Sequence, residues 1–283
     1  MSGGGDPAGD AGWTWDPTLY AGSARHYAAG RVPYGPGVVE ALVGALGLDG
    51  SQTLLDVGCG PGSLTLLLAP HVGRAIGVDA DPDMLAEAAR LARAQRLEGT
   101  AWRLLRAEEL SGDLPAVDVV TFAQSLHWMD GARVLPAVRG LLRPGGAVVH
   151  VHAETHRGTE DGGAAPFPRP PWAEVTALVE RHLGARPRAG RGFRPAIGGG
   201  GEAVLYRAAG FRGPQRLTVP GETATRTVEQ VLDAVHSLSS AAPALFGDRL
   251  ADVDAELRDL LTRAACEGLF TERMPDVDLD VWR

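Results

Sequence analysis

Five short apolar runs, at 53–57, 74–78, 100–105, 117–123 and 147–151, recur through the first half of the chain. Stretches with a helical period separate them. Uninterrupted runs of this length predict strands buried on both faces. Segment 37–46 sets Val38, Leu42 and Leu46 on one helical face, with Gly47 as its stop, and a Leu-rich helix opens near Ser63. Asp81-Pro82-Asp83 reads as a cap, a first-turn proline and an acid against the helix dipole. Met84, Ala88, Leu91 and Ala92 mark that helix's buried face. A helix over 131–142 is stopped by Arg143-Pro144-Gly145-Gly146. Strands alternating with helices predict an α/β class, a doubly wound and mostly parallel sheet.

The regular alternation lapses past 155. A helix is expected near 172–183, a short capped one at 203–209, and a sixth strand at 216–219. Amphipathic helices follow at 228–238 and 250–264, and the alternation of Met274, Val277, Leu279 and Val281 predicts a final strand within 270–281. The sum is a seven-stranded sheet with helical insertions after strands 5 and 6, at about 155–200 and 221–267. Residues 1–12 read as a disordered tail and 13–283 as one domain, its aromatic segment 13–36 (Trp13, Trp15, Tyr20, Tyr27, Tyr34) being either a packing helix or a lid.

Composition narrows the chemistry. The chain has 283 residues, a formal charge of −8, and 27 basic side chains that are all arginine; lysine and asparagine are absent. That removes a phosphate-loop lysine and a Schiff-base lysine. Net negative charge argues against sequence-independent nucleic-acid binding. No apolar run reaches the ~18 residues of a membrane span. Two distant cysteines, Cys59 and Cys266, suggest neither a disulfide framework nor a zinc site, so a cytoplasmic protein is expected.

The most informative stretch joins the first strand to its helix: Leu55-Asp56-Val57-Gly58-Cys59-Gly60-Pro61-Gly62-Ser63. A strand, a glycine turn and a helix N-terminus bring backbone N–H groups close to a ribose-bearing ligand. A dinucleotide turn wants a third glycine where Ser63 stands. The turn instead resembles the first motif of the class I S-adenosylmethionine-dependent methyltransferases, in their small-molecule "type 11" branch. The resemblance extends to Ile76-Gly77-Val78-Asp79, Asp81-Pro82-Asp83-Met84-Leu85, Ala107-Glu108-Glu109-Leu110, Ala123-Gln124-Ser125-Leu126-His127-Trp128 and Leu142-Arg143-Pro144-Gly145-Gly146.

The resemblance implies a Rossmann-like methyltransferase fold with S-adenosyl-L-methionine as cofactor. Gly58, Cys59 and Gly60 would pass close to its methionyl part, and Asp56 would order the turn and reach the amino group through water. Asp79 would accept the ribose hydroxyls, with Ala80 beside it. Ala107 and Glu108 would meet adenine, although Arg106 stands where relatives carry an acid, which shifts that contact to Glu108 or to backbone. Ala123 and Gln124 would close the cofactor site. His127 is a candidate base or a pocket wall. Tyr20, Tyr27, Arg31, Tyr34, Trp128 and His152 are substrate or lid candidates.

Two further patterns bear on chemistry. His150, His152, Glu154 and His156 alternate, so a continued strand would put four metal-ligand types on one face. A strand ending near His152 would leave the others in a loop, and no metal is assigned. Pro170-Pro171-Trp172, preceded by Arg169, reads as a rigid loop entering a helix rather than a catalytic motif. The expected activity is methyl transfer to a small molecule, with secondary metabolism suggested by family analogy. The alternative is a cofactor-binding protein that transfers no methyl, as a cyclase or a regulatory ligand binder would be.

Overall fold

A computed structural model describes residues 16–159, 165–186, 188–189, 192–193 and 201–283. The expected tail, Trp13 and Trp15 lie outside the described residues. The main sheet has seven strands: β1 (Thr53–Val57), β2 (Arg74–Asp79), β3 (Thr100–Leu104), β4 (Val117–Ala123), β5 (Leu142–His152), β6 (Gln215–Val219) and β9 (Val277–Trp282). Their spatial order is β3-β2-β1-β4-β5-β9-β6. Strands β1 to β5 pair in parallel, and β9 runs antiparallel between β5 and β6. Two more strands, β7 (Thr223–Thr227) and β8 (Leu269–Arg273), form a separate antiparallel pair.

Helix α2 (Pro36–Leu46) leads into β1; α3 (Thr65–Leu68), α4 (Pro82–Ala94) and α5 (Gly131–Leu141) connect parallel strands, and α7 (Gly201–Ala208) follows later. Alternation along each strand sends neighbouring side chains to opposite faces. Leu55, Val57, Val120 and Phe122 pack with Val134, Leu135 and Val138 of α5 on one side. Leu54, Val119, Val149 and Val151 pack with Val38 and Leu42 of α2 on the other. Asp81 caps α4 as its sequence predicts, accepting from the Asp83 and Met84 amides at 2.8 and 3.3 Å.

Three expectations need correction. Strand β5 starts at Leu142, not at Ala147: Leu142 pairs with Val117 and Ala147 with Val119, so a bulge absorbs the Arg-Pro-Gly-Gly turn instead of excluding it. The expected final strand is two strands, because residues 269–273 pair with β7 while 277–282 enter the main sheet, with Pro275 between them. Strand β7 was not expected; its β-branched alternation, Thr223, Thr225 and Thr227, is the signal that marks it.

The second insertion builds its own apolar layer over the carboxyl ends of the strands. Val231, Leu232 and Val235 of α8 (Val228–His236) pack with Val253, Leu257 and Leu261 of α9 (Leu250–Ala264), and with Val175 and Leu178 of α6 (Trp172–Leu183). Helix α1 (Ala24–Gly30) lies against α8 so closely that a Cβ on Gly30 would come within 2.1 Å of the Ala234 nitrogen. Arg226, 4 % exposed, donates to Glu272 at 3.0 Å and to the carbonyls of His156, Gly30 and Gln230 at 2.9, 2.8 and 3.1 Å. Glu272 also accepts from the Gly158 amide at 2.8 Å and from Trp172 Nε1 at 2.6 Å. One buried pair thus ties α1, the loop after β5, α6, α8 and β8 into a roof. No helix among the described residues is long and apolar enough to cross a membrane.

Removing one partner of such a pair strands the other charge in the interior, which costs about 3–5 kcal/mol. Arg226→Met is expected to lower unfolding stability by that amount in urea denaturation. A change below about 1 kcal/mol would show that the pair does not hold the roof.

Candidate active site

The turn after β1 is held from beneath and from the side. Asp56 is fully buried and accepts from Thr65 Oγ1 at 2.6 Å and Thr121 Oγ1 at 2.7 Å, joining β1 to α3 and β4. Burial raises its carboxyl above the usual range, against the pull of both hydroxyls. The Gly58 and Cys59 amides donate to the Val78 carbonyl at 2.8 and 3.0 Å, which fastens the turn to β2. Gly58 has φ +68, and a Cβ there would strike Ser125 and Met129. Gly60, at φ +55, faces open space.

That open space is a cleft of about 870 Å3, counting space shared with solvent, within the range for small-molecule sites. Gly58, Cys59, Gly60, Asp79 and Ala80 form one wall, and Ala107, Glu108, Ala123 and Gln124 another. Tyr20, Tyr27, Tyr34 and Trp128 close it. Asp56 does not line the cleft: it is fully buried beneath the turn, so its contribution is to the turn's shape.

Asp79 sits where β2 ends. Its Oδ2 accepts from the Gly60 amide at 2.8 Å and its Oδ1 from the Asp81 amide at 2.9 Å. A carboxylate offers about four lone-pair sites, so both oxygens keep acceptor capacity toward the cleft. Burial pushes its pKa up to about 6. At the far end, Glu108 Oε1 accepts from the Asp130 amide at 3.0 Å, and its Oε2 lies 3.5 Å from Arg106. Arg106 also lines the cleft, and its buried Nε has no hydrogen-bond partner. This donor, the free face of Gly60 and the two-oxygen acceptor Asp79 together fit a ligand with a polar base, a ribose and a charged tail.

A second chamber of about 1160 Å3, counted the same way, adjoins the first. Tyr20, Tyr27, Gln124 and Trp128 line both. Gln124 has φ +56, a left-handed conformation unusual for a non-glycine residue and common at functional sites, and its Nε2 donates to Tyr34 Oη at 3.1 Å. Tyr20 meets Tyr27 and Trp128 edge to face, both at 6.2 Å between ring centroids. Arg31 lies over the Tyr27 ring at 4.6 Å and donates to Ser237 Oγ at 2.8 Å. His127 packs against Trp128, with 4.9 Å between ring centroids, and faces this chamber, as do His150, His152, Glu154 and His156.

Of the two readings of the alternation, the structure follows the one in which the strand stops near His152, so the four residues do not share one strand face. The strand ends at His152, and Glu154 turns to His156 and Arg157 at 3.4 and 2.8 Å. His150 and His152 instead meet Glu202 of α7. Sequence reading missed Glu202, Ser239 and Ser240 in this chamber, because each comes from a later element whose approach no local pattern encodes. It also missed Leu19, Met84 and Leu105 in the first chamber; of these, only Met84 carried a signal, its place in the Asp-Pro-Asp-Met-Leu stretch.

Residues 54–146 match the family profile described as "Methyltransferase domain". An uncharacterised methyltransferase of Mycobacterium tuberculosis H37Rv is 38% identical over 133 residues, 46% of this chain and 51% of that protein. The ubiquinone biosynthesis O-methyltransferase of Methylococcus capsulatus is 41% identical over 96 residues, 33% of this chain and 40% of that one. The chain thus spans about half the length of the mycobacterial relatives it matches. The solved (4+2) cyclase SpnF superposes with a TM-score of 0.52 at 19% identity, covering 94% of this chain and 92% of its own, a likeness of fold. Over residues 54–146 the chain is thus similar to methyltransferase domains.

His156 lies inside the roof, and burial, then Arg31, Arg157 and Arg226, push its pKa down to about 3. A depressed imidazole stabilises the fold above its ordinary value of about 6.5, and that contribution fades as pH falls toward the folded value. The His156 Cε1 resonance is expected to stay flat between about pH 8 and about pH 5. An inflection near the ordinary value would show that the roof does not enclose it.

Proposed function

We propose that this protein transfers the methyl group of S-adenosylmethionine to a small-molecule acceptor, with the cofactor in the first chamber and the acceptor in the second. The observation that carries the reading is the shared wall. Tyr20, Tyr27, Gln124 and Trp128 separate a nucleoside-shaped cleft from a polar, histidine-lined one at the carboxyl end of β4. Ligands of doubly wound sheets bind at the carboxyl ends of the strands.

Bound S-adenosylmethionine supplies an electrophilic methyl group on a positively charged sulfur. The chain's own work is alignment, exclusion of water and proton removal. Asp79 accepts from the ribose hydroxyls, a charge-assisted bond that fixes the nucleoside along β2. Arg106 Nε and Glu108 flank the base. The rings of Tyr20, Tyr27 and Trp128 offer π faces to a cation and keep water from the junction. Burial holds the Tyr20 and Tyr34 hydroxyls above their ordinary pKa, so both stay neutral. His127, at the chamber's entrance from β4, is placed to take the acceptor's proton. Arg31 offers a guanidinium to a carboxylate or other anion on the acceptor.

Roofed chambers of this size favour a small molecule over a nucleic-acid strand, and the formal charge of −8 points the same way. Action in the cytoplasm belongs to the same reading, and the free thiols of Cys59 and Cys266 support it.

Three results test this reading. Acceptors with free hydroxyl or amine groups, screened with S-adenosylmethionine, should yield S-adenosylhomocysteine together with a methylated product. Tight cofactor binding with no S-adenosylhomocysteine formed on any acceptor would favour a ligand-binding role instead. With an active acceptor, His127→Ala should lower turnover by about 100-fold and shift its pH profile; unchanged turnover and profile would remove His127 as the base. Cofactor affinity should fall as pH drops from about 7 to about 5, by about tenfold, because protonating Asp79 removes the charged acceptor. Asp79→Asn should flatten that dependence. On the empty fold the sign reverses. The contribution of Asp79 to stability is present below the ordinary carboxyl value and is lost as pH rises through about 6. A pH-independent affinity in the unmodified protein would contradict the ribose contact.

A further inference from the structure

His150 and His152 sit two residues apart on β5, so their side chains leave the same face of the sheet. The rings lie side by side, with centroids 4.1 Å apart and planes tilted by 33°. Glu202, near the start of α7, closes on them from the other side of the chamber. One ligand atom from each of the three residues can be chosen so that all lie within 4.8 Å of one another.

The spacing is informative. His150 Nδ1 and Glu202 Oε2 are 3.8 Å apart. That is too long for a hydrogen bond. Two metal–ligand bonds of about 2.1 Å each span up to about 4.2 Å, so an ion between the two atoms fits without moving either residue's backbone. The support behind the ligands is also in place. His152 Nε2 lies 3.4 Å from Asp280 Oδ2, the carboxylate partner that metal-bound imidazoles commonly keep. Asp280 is itself held by two bonds from Arg216, at 2.7 and 2.6 Å. Strand β9 sets Asp280 directly across from His150 in register, so the assembly rests on two hydrogen-bonded strands of the main sheet.

We propose that His150, His152 and Glu202 bind one divalent first-row transition-metal ion in the floor of the second chamber. Two imidazoles and a carboxylate suit Zn2+, Co2+, Fe2+ or Mn2+ better than Mg2+ or Ca2+, which prefer oxygen. Three protein ligands leave positions open toward the chamber, as in sites whose ion meets substrate. Those positions select an acceptor that presents oxygen, and two neighbouring oxygens chelate better than one. The ion's part in catalysis rests on the methyl-transfer reading; its binding does not.

The test uses the full chain, stripped with a chelator and titrated with Co2+ by visible absorption, then displaced with Zn2+. One equivalent should bind. Glu202→Gln and His152→Gln should each weaken binding by about tenfold or more. S-adenosylhomocysteine titration of the same samples should stay at the unmodified value, which separates this site from the cofactor chamber and shows that the variants are folded. Substoichiometric uptake of Co2+ by the unmodified chain, or equal affinity in the variants, would overturn the proposal whatever the outcome of the acceptor screen.

Discussion

A guanidinium and a carboxylate removed from water must satisfy each other and nearly all of their remaining donors and acceptors. Arg226 and Glu272 do so by recruiting segments that are far apart in the chain. Arg226 reaches the last carbonyl of α1 and the loop after β5, and Glu272 reaches Gly158 and the Trp172 indole. Burial pulls the Arg226 pKa down and Glu272 pulls it back, so the ion pair survives in the interior. The roof over the carboxyl ends of the strands depends on this knot. With the packing of Gly30 on Ala234 and the bond from Arg31 to Ser237, it fixes α1 and so the place of Tyr27 and Arg31.

A second, smaller constraint holds the floor. Asp56, Thr65 and Thr121 lock β1, α3 and β4 together directly below the glycine turn, and Ser125 Oγ donates to the Val57 carbonyl at 2.6 Å. The turn's free face at Gly60 is therefore presented on rigid elements. Asp79 works in both directions: it fixes the Gly60 amide and still offers acceptors to the cleft. Its raised pKa is what a buried carboxylate costs the empty fold, and a ligand that donates hydrogen bonds to it offsets that cost. Between roof and floor the two chambers meet at Gln124, whose strained backbone turns the chain from β4 into the His127 segment.

How legible this was in the sequence follows from the range of the interactions. Strands β1 and β4 and helix α9 were readable to the residue because each is a local apolar pattern with clear ends. The glycine turn was readable because its positive φ angles favour glycine there, and Asp79 was singled out by the resemblance. The bulge in β5 was not, since Pro144-Gly145-Gly146 looks like a stop until the register with β4 is known. Strand β8 merged with β9 for a similar reason: alternation continues across Pro275 although the pairing partner changes. The approach of Glu202 to His150 and His152, and the Arg226–Glu272 knot, depend on how separate elements dock. A carboxylate on a helix or an arginine on a strand looks like a solvated charge until its neighbours are in place.

The central claim is that one cleft divides into a nucleoside chamber and an acceptor chamber at Tyr20, Tyr27, Gln124 and Trp128. A crystal structure with S-adenosylhomocysteine bound tests it most directly. The account predicts ribose hydroxyls on Asp79, the amino-acid tail at Gly60, and the sulfur at the four shared residues facing His127. A nucleoside lying elsewhere, or a sulfur turned away from the histidine-lined chamber, would contradict it.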